Sequence, residues 1–386
     1  MMKFDFRNPT HIVFGKDRLD ELASLIPLDN KVLILYGGGS VKKYGTLDAV
    51  KKALPDHALF EFGGIEVNPH YDTLMKAVEV VKSEGIDFLL AVGGGSVMDG
   101  TKFISIASKY QRTDHEDLLH DISLSSGVPD ILPIGTVLTL PATGSEMNSS
   151  AVISHGRAKY VLKNPKAYPV FSFLDPTLTY TLPSIQVANG IIDTYVHVCE
   201  QYVTYPADGR FQDRTAEGIL QTLIEIGQQN IDEPKNYEAR ANLVWNATMA
   251  LNGLIGAGVP SDWSTHMIGH ELTAFFGIDH AQTLAIIMPT LWEVRKDKKR
   301  DKLLQYAERV WHINEGSDDE KINAAISKTR AYFESLGVKT HLSDYGIKRG
   351  ELEQVIDGLK AKGMTNLSET RDLSLDLIRT ILDKSF

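Results

Sequence analysis

Hydrophobic residues follow two different patterns along the chain. In the first half, short continuous apolar runs alternate with segments of helical period, whereas beyond Pro183 apolar positions recur every three or four residues. Continuous apolar runs are typical of strands buried on both faces of a parallel sheet, and the longer spacing is typical of amphipathic helices. The pattern predicts βαβ units followed by a region built of helices.

The predicted elements define two domains. Strands are predicted at residues 31–36, 58–62, 87–92, 132–140 and 169–174, and helices between them at residues 18–25, 46–54, 71–82 and 97–107. A β-hairpin is predicted at residues 3–6 and 11–14, around the Asn8-Pro9 turn. Further helices are predicted at residues 185–202, 211–228, 237–254, 263–275, 280–294, 299–311 and 319–336. The expected fold is an α/β domain at residues 1–182 followed by an all-helical domain at residues 183–386.

Composition narrows the range of partners. Of 386 residues, 43% are hydrophobic and 23% are charged, as expected for a globular protein. The formal charge of −10 and the lack of a long Lys/Arg run argue against nucleic acid or an anionic membrane as partner. Cys199 is the single cysteine, so neither an intrachain disulfide nor a multi-thiolate metal site is expected. The first residues lack a signal-peptide apolar region and no uncharged apolar run could span a membrane, so a cytoplasmic protein is expected.

Two Gly-Gly-Gly-Ser runs, at residues 37–40 and 93–96, directly follow predicted strands. Glycines at the carboxyl end of a parallel strand let backbone N–H groups approach a phosphate, and the next helix N-terminus adds positive potential. For either run alone, a tight turn without a ligand is the alternative, but the two together suggest two phosphate groups of one nucleotide. Neither run is a Gly-x-Gly-x-x-Gly motif, and no Gly-x-x-x-x-Gly-Lys-Ser/Thr is present, which disfavours an ordinary Rossmann enzyme and a P-loop NTPase.

Five side chains that could bind a metal lie between residues 193 and 280. Asp193 and His197 are four residues apart, as are His266 and His270, and each pair would share one face of an apolar helix. His280 follows ten residues later. Imidazole and carboxylate ligands suit Zn²⁺ or Fe²⁺. Because five candidates compete for about four places, one histidine is expected to support a ligand or to take part in catalysis instead.

Three motifs resemble the iron-containing (group III) alcohol dehydrogenase family. They are Gly-Gly-Gly-Ser-x-x-Asp-x-x-Lys at residues 93–102, Thr-Leu-Pro-Ala-Thr-Gly-Ser-Glu at residues 139–146, and Gly-Ala-Gly at residues 256–258 with His-x-x-x-His at residues 266–270. Within that family, residues 36–43 and 254–260 look closest to the branch of NADPH-dependent aldehyde reductases and butanol dehydrogenases. The resemblance extends from the N-terminal segment to the last helices.

The resemblance implies a fold, an activity and a set of site residues. The first domain would bind a dinucleotide as in dehydroquinate synthase, and the helical domain would hold one divalent metal, Fe²⁺ or Zn²⁺. The activity would be hydride transfer between NADP(H) and short-chain aldehydes or primary alcohols, mainly aldehyde reduction. The implied metal ligands are Asp193, His197, His266 and His280, whereas His270 would relay a proton. The implied cofactor-binding residues are Gly37, Gly38, Gly39, Ser40, Asn68, Gly94, Gly95, Ser96, Asp99, Thr139, Thr143, Asn148 and Lys159.

Three other functions would use some of the same residues. A zinc hydrolase is disfavoured because the chain has no His-Glu-x-x-His and its glycine runs would have no role. A lyase of the dehydroquinate synthase type should need a basic cluster for its phosphorylated acidic substrate, whereas Trp263, Met267, Phe275 and Phe276 suggest an apolar pocket. A nucleotide-binding sensor is disfavoured by the complete set of metal ligands.

The sequence also predicts which cofactor is preferred and how the chain assembles. No Asp or Glu occurs between the strand at residues 31–36 and Asp48, so the acidic partner of an NAD ribose is missing. Ser40 and Lys42 or Lys43 could bind a 2′-phosphate instead, unless cofactor choice is set elsewhere. We predict a preference for NADPH, and a shift toward NADH on Gly39→Asp. A homodimer is expected through the exposed edge of the N-terminal hairpin, in line with the family resemblance.

Overall fold

The protein consists of two compact units. The structure is a computed structural model, and it describes residues 1–110, 118–119 and 130–386. Arg7–Leu182 form the first unit, and Pro183–Phe386 together with Met1–Phe6 form the second. The first unit combines a parallel sheet with helices, and the second is built almost entirely of helices, so the predicted fold class is confirmed.

The first unit is organised around a six-stranded sheet. The strands are β1 (His11–Phe14), β2 (Lys31–Tyr36), β3 (Ala58–Phe62), β4 (Phe88–Gly93), β5 (Ile134–Leu138) and β8 (Phe171–Leu174). Their order in the sheet is β1-β8-β5-β4-β2-β3, and every neighbouring pair is parallel. The central strands β4 and β5 are buried along their whole length. Both faces are covered, which explains why these strands are continuous apolar runs in the sequence.

Helices follow the strands of this sheet in the expected alternation. They are α1 (Leu22–Leu25), α2 (Ser40–Lys43), α3 (Thr46–Lys52), α4 (Tyr71–Glu84) and α5 (Gly95–Ala107). On one face of the sheet, Leu22 and Val50 pack in a common apolar core with Val32, Ile34 and Leu90. Burying these side chains supplies most of the driving force that holds the helices on the sheet.

Strand register brings the two glycine runs to one edge of the sheet. Tyr36 at the end of β2 lies beside Val92 of β4, and Gly93 lies beside Leu138 at the end of β5. Gly37, Gly93 and Thr139 therefore emerge next to one another at the carboxyl ends of three adjacent strands. This edge is where open parallel sheets bind their ligands.

An antiparallel hairpin that the sequence did not predict follows β5. It consists of β6 (Ser150–His155) and β7 (Ala158–Lys163), which pair from Ser150↔Lys163 to His155↔Ala158. Gly156 in the connecting turn has φ +59°, a left-handed value that glycine adopts without steric cost. The signal is weak in the sequence because β7 is largely exposed or half-buried and carries lysines.

The predicted hairpin at residues 3–6 and 11–14 is wrong in its first strand. Residues 1–10 contain no strand, and β1 pairs in parallel with β8 instead. Met2 donates its backbone N–H to the carbonyl oxygen of Gly258 at 2.8 Å, within the helical unit. Because this segment finds its hydrogen-bond partner in a loop of the helical unit, it does not turn back onto β1.

The second unit surrounds one buried helix, α6 (Ser184–Tyr202), which contacts α7, α8 and α10. The other helices are α7 (Arg210–Asp232), α8 (Tyr237–Ala250), α9 (Ser264–Phe276), α10 (His280–Val294), α11 (Arg300–Arg309), α12 (Asp318–Ser335), α13 (Glu353–Ala361) and α14 (Leu375–Lys384). A two-stranded antiparallel pair, β9 (Asn366–Leu367) with β10 (Leu373–Ser374), is a small departure from an all-helical domain. In the part of the chain that the structure describes, no helix is both long and apolar enough to cross a membrane.

Candidate active site

Three helices bring four of the predicted metal-binding side chains together. Asp193 and His197 lie on consecutive turns of the buried helix α6, His266 lies in the first turn of α9, and His280 begins α10. The oxygen Oδ1 of Asp193 lies 3.7 Å from His197 Nδ1, 3.9 Å from His266 Nε2 and 3.7 Å from His280 Nε2. Three imidazole nitrogens thus surround one carboxylate oxygen.

The arrangement fits a divalent cation. Ligand atoms at about 2.1 Å around tetrahedral Zn²⁺ lie roughly 3.4 Å from one another, close to these separations. Asp193, His266 and His280 each offer a ligand atom within 4.8 Å of the other two, and His197 adjoins them. Among the described residues, Asp193 Oδ1 and His197 Nδ1 are buried without a hydrogen-bond partner. Buried polar atoms rarely stay unsatisfied, and a shared cation would satisfy both of these.

Burial also sets the charge of the candidate ligands. It lowers the pKa of His197 to about 4, because the charged imidazolium loses its solvation, and the carboxylate of Asp193 offsets only part of this effect. His197 is therefore neutral at pH 7, as a metal-binding imidazole must be. Asp193 supplies the carboxylate of the set, and its Oδ1 faces the imidazole nitrogens of His197, His266 and His280.

His270 is separate from this group but lies beside it. It is buried one helical turn after His266 in α9, and its ring centroid is 5.1 Å from that of His280 and 6.2 Å from that of His266. Trp263 packs against two other members of the group, with its ring centroid 5.4 Å from that of His266 and 6.2 Å from that of His197. His197, His266 and His280 approach Oδ1 of Asp193, and the His270 ring lies next to two of these imidazoles.

The first glycine run forms an open turn at the end of β2. Gly39 has φ +109° and ψ 0°, and it immediately precedes Ser40, the first residue of α2. A Cβ placed on Gly38 or Gly39 would have no heavy atom of the described residues within 4 Å, so there is room for a side chain at both positions. Lys42 lies with its Nζ 4.8 Å from the centre of the Tyr36 ring and 3.9 Å from Glu61 Oε2.

The second glycine run is held much more closely. A Cβ on Gly95 would lie 2.5 Å from Thr143 Oγ1, and one on Gly94 would lie 3.0 Å from Leu140 Cβ. Gly95 is also the first residue of α5, whose N-terminus faces the same sheet edge as Thr139. The lack of side chains here lets the loop after β5 approach the β4–α5 turn, which forms a helix N-terminus, the kind of site that binds phosphate groups.

Family models match nearly the whole chain. The iron-containing alcohol dehydrogenase model matches residues 9–176, and the model of the C-terminal region of the Fe-containing alcohol dehydrogenase family matches residues 187–386. The chain belongs to the iron-containing alcohol dehydrogenase family. The family resemblance expected from the sequence motifs is confirmed.

The names of similar proteins state an activity and a cofactor. NADPH-dependent aldehyde reductase YqhD of Escherichia coli (strain K12) is 55% identical over 386 residues, which cover 99% of each chain. A crystal structure of Escherichia coli K-12 YqhD matches with a TM-score of 0.97, covering 100% of this chain and 99% of that chain. NADH-dependent butanol dehydrogenase A of Thermotoga maritima is 33% identical, with a TM-score of 0.94 and coverage of 100% of this chain and 99% of that chain.

Two predicted cofactor residues of this iron-containing alcohol dehydrogenase bind other parts of the protein. Asp99 accepts hydrogen bonds from Ser145 Oγ at 2.6 Å and from the backbone of Val152 at 2.8 Å. Asn148 Oδ1 accepts from the buried ammonium of Lys102 at 3.0 Å. Burial lowers the pKa of Lys102 to about 8, although the nearby Asp99 carboxylate opposes the shift. Through these side chains, the loop after β5 and the β6–β7 hairpin are fixed against α5.

Lys159 and Asn68 meet at the β6–β7 hairpin of this family member. Lys159 Nζ donates to Asn68 Oδ1 at 2.7 Å, and the backbone N–H of Asn68 donates to Ser96 Oγ at 3.3 Å. Asn68 has φ +57°, a conformation that asparagine tolerates better than most residues. The structure therefore brings Lys159, Asn68 and the second glycine run together, although they are far apart in the sequence.

One residue at the metal-binding cluster was missed in the sequence. Glu200 is buried on α6, seven residues after Asp193 and three after His197, so all three share one face of the helix. The extended pattern Asp-x-x-x-His-x-x-Glu was the signal that could have identified it. Burial raises the pKa of Glu200 well above its ordinary value, and the nearby Asp262 carboxylate raises it further. Cys199 is also buried, and burial raises its pKa well above the ordinary value, so it is unsuited to act as a nucleophile.

Proposed function

We propose that this protein is a metal-dependent oxidoreductase that reduces short-chain aldehydes to primary alcohols with NADPH. The observation that carries the proposal is the group of three imidazole nitrogens around the buried Oδ1 of Asp193, in a member of the iron-containing alcohol dehydrogenase family. The name of the 55% identical relative, an NADPH-dependent aldehyde reductase, supports the reaction class and the cofactor.

Asp193, His197, His266 and His280 would hold one divalent cation, Fe²⁺ or Zn²⁺. When bound, the cation withdraws charge from the carbonyl oxygen and the nicotinamide cofactor supplies the hydride. Neutral imidazoles and a single carboxylate leave the centre with net positive charge, which suits it to a substrate oxygen rather than to a cationic group. The same donor set accepts either metal, so the proposal covers both.

The cofactor would be bound at the carboxyl edge of the sheet. Gly94, Gly95 and Ser96 at the N-terminus of α5 would contact the pyrophosphate, and the open turn at residues 37–40 would accept the 2′-phosphate. Glu61 lies 3.9 Å from Lys42 and is also paired with Lys51 at 3.1 Å. A carboxylate held by two lysines repels a phosphate less than an unpaired one would, which supports NADPH over NADH.

His270 would complete the reaction by supplying a proton. Hydride addition to an aldehyde leaves an alkoxide, and an imidazole nitrogen next to it can deliver the proton that gives the alcohol. The position of His270 beside His280 and His266 supports this role. We expect His270→Ala to keep its metal content but to lose turnover and the pH dependence of kcat. Unchanged turnover and an unchanged pH profile would remove His270 from the mechanism.

A direct assay tests the function as a whole. Chelator-treated protein is reconstituted with Fe²⁺ or Zn²⁺, one ion at a time, and NADPH absorbance is followed after adding butanal. We expect metal-dependent NADPH oxidation and loss of metal binding in His266→Ala. Absence of NADPH oxidation with every metal and several aldehydes would contradict the proposal and would favour a hydrolase, a lyase or a nucleotide-binding sensor.

We also propose that the protein is a homodimer. Strand β1 pairs on one side with β8 and forms an edge of the six-stranded sheet, so its other side can pair with a second chain. This replaces the hairpin edge as the pairing element. A light-scattering mass of about 43 kDa, close to the 42.8 kDa of one chain, would contradict a dimer.

A cytoplasmic location completes the proposal. The single cysteine, Cys199, is a buried free thiol, as is typical of proteins from reducing compartments. Fractionation of the native host, with activity recovered in the cytosolic fraction, is the expected result.

A further inference from the structure

Glu200 connects the two helices that carry the candidate metal ligands. Its Oε2 shares a hydrogen bond with Nδ1 of His266, and its Oε1 accepts one from the backbone N–H of Thr265 at 2.6 Å. The side chain is buried, with an exposed fraction of 5%. Burying a carboxylate costs free energy unless hydrogen bonds compensate for its lost hydration. Both carboxylate oxygens of Glu200 have such hydrogen bonds.

The bond to Glu200 determines which nitrogen of His266 faces the other ligands. An ionised Glu200 can only accept hydrogen bonds, so in that state its bond places the proton of a singly protonated His266 on Nδ1. The lone pair is then on Nε2, the atom that lies 3.9 Å from Asp193 Oδ1. Carboxylates that accept from the distal nitrogen of a metal-binding histidine fix its tautomer and ring orientation and raise its basicity.

The backbone of Glu200 fixes the start of α9 as well. Its carbonyl oxygen accepts from the backbone N–H of Asp262 at 2.7 Å, and Asp262 Oδ1 in turn accepts from the backbone N–H of Ser264 at 2.9 Å. The buried ammonium of Lys299 holds Asp262 from the other side, at 2.9 Å from Oδ2. The first turn of α9 is therefore attached to α6 at several points, and Glu200 takes part in three of these contacts.

We propose that Glu200 is a positioning residue of the metal centre, which presents Nε2 of His266 to the cation by holding both the ring and the first turn of α9. The proposal rests on the proposed metal-binding function. It does not require Glu200 to touch substrate or cofactor.

The test measures metal affinity rather than activity. Chelator-treated wild-type protein, Glu200→Gln and Glu200→Asp are titrated with Co²⁺ in competition with a chromophoric chelator, and the visible absorption of the bound Co²⁺ is recorded. Glutamine can accept from only one of the two donors, and aspartate keeps the charge but is one methylene shorter. We expect both variants to bind Co²⁺ about 10–100-fold more weakly, with altered absorption bands.

Glu217→Gln is the matched control. Glu217 is equally buried, on α7, and it binds Tyr202, Arg214 and Arg309 rather than a candidate ligand. Its loss can lower stability, but it should leave the Co²⁺ affinity and spectrum unchanged. Far-UV circular dichroism and thermal midpoints separate loss of fold from loss of metal, and if Glu200→Gln does not fold, Glu200→Asp decides.

The outcomes distinguish this proposal from the function on which it rests. If wild-type protein binds one Co²⁺ and His266→Ala does not, but folded Glu200 variants bind it as tightly as wild type, the positioning role is overturned. If wild-type protein binds no metal at all, the proposed function itself fails. Equal weakening in Glu217→Gln and the Glu200 variants would also overturn the proposal, because the effect would then be a general loss of stability.

Discussion

The open turn after β2 allows cofactor preference to be tested with a single charge. Gly39→Asp was the natural choice from the sequence, but Gly39 has φ +109°, where an L-residue costs roughly 1–2 kcal/mol of backbone strain. Gly38 has no such positive φ, and a Cβ placed on it meets no heavy atom within 4 Å. Gly38→Asp therefore adds charge without strain or collision, and it is the cleaner perturbation.

The expected magnitude follows from Coulomb's law. The turn is partly exposed, so an effective dielectric constant of roughly 60 and a separation of roughly 7 Å give about 1.6 kcal/mol of repulsion between a carboxylate and a doubly charged 2′-phosphate. NADH has no phosphate at this position and is spared. The ratio of kcat/KM for NADPH to that for NADH should fall by a factor of about 15.

The assay measures kcat/KM for both cofactors with one aldehyde, at low and at high salt. Gly38→Asn is the matched control because it has the same shape without the charge, and it should leave the cofactor ratio unchanged. The shift caused by Gly38→Asp should shrink at high salt because exposed charges are screened. At Gly39, both Asp and Asn should lower the thermal midpoint by about 1 °C per kcal/mol of strain for a chain of this length, while only Asp changes the ratio.

Two results would refute this reasoning. Equal kcat/KM for NADPH and NADH in the wild-type protein would show that the turn does not select the phosphate. An equal change of the ratio in Gly38→Asp and Gly38→Asn would show that shape, and not charge, governs recognition at this turn.

Two further predictions concern stability. The folded-state pKa of Lys102, about 8, lies below its unfolded value of 10.5, so the unfolded chain binds more protons between these pH values. The thermal midpoint of the wild type minus that of Lys102→Met should therefore rise from pH 8 to pH 10.5. A constant or falling difference would contradict this expectation. On helix α7, Gly218→Ala should stabilise by up to about 1 kcal/mol, because a Cβ there meets nothing within 4 Å. Gly227→Ala should destabilise by about 1–3 kcal/mol, because its Cβ would lie 2.2 Å from the hydroxyl of Tyr332; equal midpoints for the two variants would contradict the packing argument.

The sequence alone determined the elements whose signal is local. The continuous apolar run of β4 predicts a strand that is buried on both faces. In α6, apolar residues recur every three or four positions, which is the period of a helix. Asp193 and His197 could be paired from the sequence because residues four apart share a helix face wherever that helix is placed. The glycine runs were recognised because they directly follow strands.

Only the tertiary structure decided features that depend on distant partners. Residues 3–6 read as a strand, yet the adjoining Met2 donates its backbone N–H to Gly258, which is far along the chain. The motif at residues 93–102 includes Lys102, yet only the structure shows that this lysine is buried and donates to Ser145, Asn148 and Ser150. In each case the free energy of a polar group depends on the partner that the fold provides.

The metal cluster shows both kinds of information. The spacing indicated five candidate side chains but left open which histidine would not be a ligand, because spacing along a helix does not fix how one helix lies against another. Packing of α6, α9 and α10 brings His266 and His280 toward Asp193 and leaves His270 beside them. The role of Glu200 was likewise hidden, because its meaning depends on which imidazole the fold places against a buried carboxylate.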